Sequence, residues 1–233
     1  MRLNKYLARS GVASRRKSDE LIQMATTEVN GKICLDPAYD VRPGDKIHFD
    51  GRRLIPSNEK IVYMLNKPEK VITTVSDTHG RRTVMDYVKS KLRVSPVGRL
   101  DQQTKGLLLL TNDGDLHHFL THPSNQVPKD YEAIIEGRVD PVNIRKLSRG
   151  IYIGDKEYGR AEMIGQETEK GRSKVKLRLR QGKKREIRRI FFRLKIKLFS
   201  LKRIGYSNLK LGNLNEGEYR QLTAKEIKSL YDQ

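Results

Sequence analysis

The sequence predicts an α+β protein: a small N-terminal ααβββ unit, then a larger domain of several strands and helices. Three observations carry that expectation. Leu3 and Leu7 fall at helical spacing near the N-terminus, and turn-flanked strand signals follow soon after. Leu107 to Leu110 are four consecutive leucines closed by Thr-Asn-Asp-Gly, the pattern of a buried strand ending in a tight turn. Residues 174–180, KVKLRLR, alternate basic and apolar side chains strictly, as a half-buried strand does. No period of 20–50 residues repeats, which argues against a solenoid.

In chain order, Gly11 breaks the first helix, and Ser14 is placed to cap a second that runs to about Met24 with Leu21 and Ile22 inward. Residues 28–33 read as a strand with an Asn30-Gly31 turn, and Pro43-Gly44-Asp45 turns the chain into a strand at 46–49. This first domain is assigned to residues 1–58, with a linker at 54–60, and the second to 59–233. Residues 61–65 form a buried-strand pattern ended by Pro68. A β-branched run follows at 71–75, then a polar, turn-rich loop at 76–83, and Thr83 is placed to cap a helix through Met85 and Val88. Asp101 lies in the loop before the leucine strand, and a helix with Leu116 and Leu120 inward comes after it. Residues 129–135 open another strand, Asp140-Pro141 starts a helix through Ile144 and Leu147, and short strands are expected at 151–153 and 161–164. Ile187, Ile190, Phe191 and Leu194 share one helical face within 182–194. The chain closes with Leu209-Lys210-Leu211-Gly212, a turn at 215–218 and a helix from Thr223.

The 233 residues carry a net charge of +20, so a polyanion, usually nucleic acid, is the expected partner. The charge is clustered. Residues 1–17 hold Arg2, Lys5, Arg9, Arg15, Arg16 and Lys17 with no acidic residue, and residues 171–203 hold fifteen Lys or Arg against Glu186 alone. Cys34 is the single cysteine, which excludes a disulfide framework and a four-cysteine zinc site. No apolar run approaches the ~20 residues of a membrane span, and the N-terminus lacks a signal-peptide core. A soluble cytoplasmic protein is expected. His118 and His122 stand four apart but have no evident third ligand, and Pro123 ends their helix, so no metal site is expected. Walker A and dinucleotide-binding fingerprints are missing, and no cofactor is expected.

The stretches Arg2-Leu3-Asn4-Lys5-Tyr6-Leu7, Ser14-Arg15-Arg16, Val29-Asn30-Gly31 and Pro43-Gly44-Asp45 resemble the S4 RNA-binding domain. The segments Leu65-Asn66-Lys67-Pro68, VGRLDQQTKGLLLLTNDG at 97–114, Lys129-x-Tyr131 and GKKREIRRIF at 182–191, in that order, resemble the RsuA/RluB-like pseudouridine synthases of ribosomal RNA. That resemblance implies a long mixed, mainly antiparallel sheet flanked by helices. It implies isomerisation of uridine to pseudouridine in ribosomal RNA, with the large-subunit RNA favoured over the small-subunit RNA, and ribosomal subunit precursors as further partners of a monomeric enzyme. It assigns Asp101 as the catalytic aspartate, Tyr131 as the ring against the target base, and Arg188 as the basic residue that pairs with the aspartate. Arg99 is implied beside the active loop. Lys183, Lys184, Arg185 and Arg189, with the N-terminal basic residues, are the expected RNA contacts. Relatives often carry Gln at the position of Glu186. The competing reading is a non-catalytic RNA-binding ribosome-assembly factor, and the retained Asp101, Tyr131 and Arg188 argue against it.

The chemistry suits these residue types. The isomerisation breaks one glycosidic bond and makes a carbon–carbon bond without redox change. An ionised aspartate can act as a nucleophile or as a base that stabilises a cationic sugar, and a nearby guanidinium favours the ionised form. A flipped base regains part of its unstacking cost on an aromatic ring.

Overall fold

The computed structural model describes residues 1–231, which form two compact units, one over residues 1–60 and one from Ile61 onward. In the first unit, α1 (Leu3–Arg9) buries Leu3 and Leu7. The Ser14 hydroxyl accepts from the Lys17 amide to start α2 (Arg15–Gln23), which buries Ile22 and leaves Leu21 half-buried. Three strands were expected and four are present: β1 (Thr27–Val29), β2 (Lys32–Ile33), β3 (Ile47–Phe49) and β4 (Arg52–Arg53), in the order β2-β1-β3-β4. Asn30 and Gly31 both take positive φ, as a tight hairpin turn requires. Asp50 and Gly51 repeat the device at +45° and +72° and fold Arg52 and Arg53 back onto Phe49 and His48. A two-residue strand is too short to show an alternation in sequence.

The second unit is one nine-stranded sheet with helices packed on it. Its strands and helices run β5 (Val62–Lys67), β6 (Ser95–Pro96), β7 (Lys105–Thr111), α3 (Gly114–Thr121), β8 (Lys129–Glu136), α4 (Pro141–Arg149), β9 (Ile151–Gly154) and β10 (Glu157–Gly159). They continue through β11 (Glu162–Glu169), β12 (Arg172–Leu179), α5 (Glu186–Arg193), β13 (Leu198–Tyr206), β14 (Leu209–Lys210), β15 (Tyr219–Gln221) and α6 (Ala224–Ser229). The main order is β11-β12-β8-β13-β7-β5-β15, while β9 and β10 form a separate hairpin. Among the strands of the described residues β7 and β13 make the only parallel pair; the isolated Ile72–Thr83 bridge is also parallel.

Leu107 and Leu109 enter a core with Met64, Leu116, Leu120 and Tyr206 on one face of β7. Leu108 and Leu110 enter a second core with Leu65, Val84 and Leu100 on the other. A strand covered on both faces carries continuous apolar residues. By contrast, β12 buries Val175, Leu177 and Leu179 against Ile187, Ile190 and Phe191 of α5 and turns its basic residues outward.

Several elements differ from expectation. The run at 71–75 is no strand, because side chains take over its bonding: Lys67 Nζ donates to Val71 O at 2.7 Å, Thr73 Oγ1 donates to Leu100 O at 2.8 Å, and only Ile72 bridges, to Thr83. The helix expected from Thr83 is one 3-10 turn, Val84–Asp86, closed by a Thr83/Asp86 capping box. The 161–164 strand extends to Glu169 as β11. The longest strand, β13, had no sequence assignment, because its apolar positions are interrupted by Lys202 and Arg203 inside the basic stretch. Among the described residues no helix is long and apolar enough to cross a membrane.

Candidate active site

A cleft of about 650 Å³ opens in the second unit where the Asp101 loop, the segment after α3, β8 and the approach to α5 meet. Asp101, Tyr131, Arg188, Arg99, Lys183, Lys184 and Arg185 all line it.

The Asp101 loop is fixed from both sides. Leu100 is buried and is held by Thr73, whose hydroxyl also accepts the Leu100 amide at 3.2 Å. The Lys70 amide donates to Gln102 O at 2.7 Å, and the Thr104 amide closes a turn on Asp101 O at 2.9 Å. β7 follows directly. At its start Gly106 has φ +107°, and a Cβ there would overlap the Arg203 carbonyl oxygen and lie 2.7 Å from the Arg203 nitrogen. Glycine is what lets β7 pair in parallel with β13 at this point.

The carboxylate of Asp101 is a little over one-third exposed and faces Arg185, with Nη1 to Oδ2 at 3.6 Å. Arg188, expected to be its partner, is turned to the adjoining turn. Its Nη2 donates to Gln103 O at 2.7 Å and to Thr104 Oγ1 at 3.3 Å, and its buried Nε has no partner. The cause is the geometry of the α5 start. Arg185 adopts a left-handed φ of +52° as N-cap, which directs it toward Asp101, while Arg188 projects from the first turn of the helix. Burial pulls the Arg188 pKa below its ordinary value, and Asp101 and Glu69 oppose that shift. Arg188 therefore lies within the field of Asp101 without a direct ion pair.

Tyr131 sits on β8 between two cores and reaches the cleft wall. Two neighbours received no site role from the sequence, although Lys129 belongs to the Lys129-x-Tyr131 segment. Lys129 donates to Val127 O at 3.0 Å, and its ammonium lies 5.1 Å from the Tyr206 ring centroid. Burial pushes its pKa down to about 8. Arg203 forms part of the floor. The signal for Lys129 was its place two residues from Tyr131, on the same face of a strand. Arg203 gave no such signal, because β13 was not assigned.

Other expected contacts separate. Arg189 does not line the cleft. Its fork bonds Ile153 O at 2.9 Å, Gly154 O at 2.9 Å, Asp155 at 3.0 Å and Glu157 at 2.6 Å, so it clamps the β9–β10 hairpin. Lys183 Nζ donates to Tyr158 O at 2.7 Å. Glu186 is buried and accepts the amides of Arg160 and Lys183, at 3.1 and 3.2 Å, which shapes the loop before α5. In the first unit Arg2, Arg9, Arg15, Arg16 and Lys17 are exposed and Lys5 is half-buried, with Lys17 paired to Glu20 at 2.7 Å. His118 and His122 are exposed, with ring centroids 4.9 Å apart. Among the described residues no group of three His, Cys, Asp or Glu is arranged to hold a metal.

The cleft is walled by Asp101, Glu186, Tyr131 and many cations on a mainly antiparallel sheet, and the chain that forms it is similar to known proteins. The family described as RNA pseudouridylate synthase matches residues 61–192, and the S4 domain matches residues 1–47. The chain is 38% identical to ribosomal large subunit pseudouridine synthase B of Bacillus subtilis (strain 168), over 98% of this chain and 95% of that one. It is 34% identical to an uncharacterized RNA pseudouridine synthase of Aquifex aeolicus (strain VF5), over 99% and 94%. A crystal structure of a pseudouridylate synthase superposes with a TM-score of 0.70 at 28% identity, covering 99% of both chains. The chain belongs to the RNA pseudouridine synthase family, whose members are isomerases, and carries an S4 domain at its N-terminal end.

Proposed function

We infer that the protein isomerises a uridine of ribosomal RNA, in the large subunit, to pseudouridine, with Asp101 as the essential catalytic group. The observation that carries this reading is the convergence of Asp101, Tyr131 and Arg188 in one cation-lined cleft. The similarity to the ribosomal large subunit pseudouridine synthase B of Bacillus subtilis favours the large-subunit RNA. The basic residues of the first unit, Arg2, Lys5, Arg9, Arg15, Arg16 and Lys17, contact phosphates and position the RNA without reading its sequence. Ribosomal subunit precursors are the form in which a cytoplasmic, monomeric enzyme would meet this RNA.

The target uridine leaves its stack and lies against Tyr131, whose ring supplies ~1–3 kcal/mol of stacking. Asp101, which faces Arg185 at 3.6 Å, meets the sugar carbon as the N1–C1′ bond opens. The uracil turns, C5 joins C1′, the C5 proton is lost, and N1 takes up a proton. The test incubates the protein with unmodified large-subunit ribosomal RNA and maps pseudouridine by chemical adduct and primer extension. A new site with the native protein, and none with Asp101→Asn at unchanged RNA affinity, is the expected result. Modification by Asp101→Asn at the native rate would overturn the assignment.

A further inference from the structure

Arg203 is 2% exposed on the cleft floor, and the roles given to Asp101, Tyr131 and Arg188 do not involve it. It stands opposite Tyr131 of β8 on one side and Gly106 of β7 on the other, between the strand that carries the tyrosine and the strand that follows the aspartate loop. Its Nε donates to Leu107 O at 2.7 Å, and its guanidinium carbon lies 4.9 Å from the Tyr206 ring centroid. Its Nη2 is buried without a hydrogen-bond partner. Among the described residues no carboxylate lies within ion-pair distance of it; Asp130, the carboxylate in the adjacent stretch of β8, is taken by Arg178 and Lys210.

A buried cation with no counterion and an idle donor is a costly arrangement, and a structural arginine is normally paired. One carbonyl and one ring face compensate it in part. Arg203 lines the cleft, so its remaining positive potential acts on the space that holds substrate, and an anion formed there would complete the arrangement.

We propose that Arg203 is a catalytic residue that stabilises the negative charge developing on the base as the glycosidic bond breaks. The proposal rests on the cleft being the site of uridine isomerisation. When N1–C1′ cleaves, the bonding pair leaves with uracil, which becomes an anion delocalised over N1, O2 and O4, and C1′ is left electron-deficient toward Asp101. The anion's C5 then supplies the pair for the new bond to C1′. C5 loses its proton, N1 gains one, and no net charge is left. A fixed guanidinium in a water-poor pocket acts on such transient charge without reorganising. Arginine also stays protonated at every working pH, which the cleft lysine Lys129, with its pKa near 8, does not.

The test compares the native protein, Arg203→Gln and Arg203→Lys in single turnovers at saturating large-subunit ribosomal RNA transcript, with RNA affinity and thermal unfolding measured alongside. Gln keeps a donor for Leu107 O and loses the charge, whereas Lys keeps the charge. The expected result is a rate loss of ~10²–10³-fold for Gln, a smaller loss for Lys, and RNA affinity within about threefold for both. Equal losses for Gln and Lys, or losses that follow affinity or unfolding, would overturn the proposal. A transcript carrying 5-fluorouridine gives a second measurement that holds even where the Gln variant does not fold. Fluorine at C5 stabilises the departing anion, so the ratio of native to Arg203→Lys cleavage rates narrows, and an unchanged ratio overturns the proposal. If the native protein is active, Asp101→Asn is dead and Arg203→Gln works at the native rate, only this inference fails. If the native protein makes no pseudouridine, the reading of the site itself fails.

Discussion

Asp101 meets Arg185 at 3.6 Å while Arg188, three residues further on, spends its guanidinium on Gln103 O and Thr104 Oγ1. The two arginines therefore act on the same loop in different ways. Arg185 offers a half-exposed charge, and such pairs contribute about 0–1 kcal/mol. Arg188 braces the turn that holds the carboxylate.

This division predicts unequal losses. Arg185→Ala lowers the single-turnover rate by no more than about fivefold. Arg188→Ala removes a charge from the aspartate's field and releases the 102–104 turn, and costs ~10²–10³-fold. Rates at saturating RNA decide the matter, and the opposite ranking would give the dominant role to Arg185.

Tyr131→Ala removes a stacking surface worth ~1–3 kcal/mol, which corresponds to a loss of roughly 5–150-fold in kcat/KM. Tyr131→Phe keeps the ring and should retain substrate affinity. A Phe variant that binds normally but turns over far more slowly would assign the phenol hydroxyl a role in proton transfer.

Lys184 and Arg189 are both basic and stand close in sequence, yet they should behave differently. Lys184→Ala lowers the slope of log affinity against log salt by about 0.7–0.9 and leaves thermal stability unchanged. Arg189→Ala loses the hairpin clamp, destabilises the protein by about 1–3 kcal/mol and leaves the salt slope intact. Salt titrations of RNA binding together with thermal unfolding separate the two.

Lys129 links stability to pH. Its folded pKa of about 8 lies below the unfolded 10.5, so between these values the unfolded chain binds the extra proton and stability rises with pH. The groups around it are Arg203, which adds to the lowering, Glu186, which opposes it, and the Tyr206 ring. Below pH 8 the buried charge is a cost. Lys129→Met should raise Tm at pH 7 by roughly 2–4 °C, and this gain should shrink toward pH 10. The native protein should lose RNA affinity as pH rises through about 8, and the variant should lose less. Scanning fluorimetry and anisotropy at pH 6.5 and 9 test both halves, and a variant less stable than the native protein at pH 7 would contradict this account.

The sequence by itself determined the elements whose signal is local. Ser14, Asp140 and Thr223 announce helix starts because a cap bonds an amide two or three residues away. The Leu107–Leu110 run and the β12 alternation report their own burial. The aspartate loop was legible as a motif for the same reason: one short, ordered stretch contains it. Tertiary structure alone decided what depends on distant partners. Whether 71–75 becomes a strand depended on Lys67 and Thr73, whose side chains occupy its carbonyl and its neighbour Leu100. Which arginine faces Asp101 depended on a left-handed residue at the α5 cap, and which one serves the β9–β10 hairpin depended on carbonyls more than thirty residues away. Arg203 entered the cleft only because β13 inserts between β7 and β8. Charge in a sequence shows that a polyanion will bind; the direction of each guanidinium is set by the strand and the helix turn that carry it.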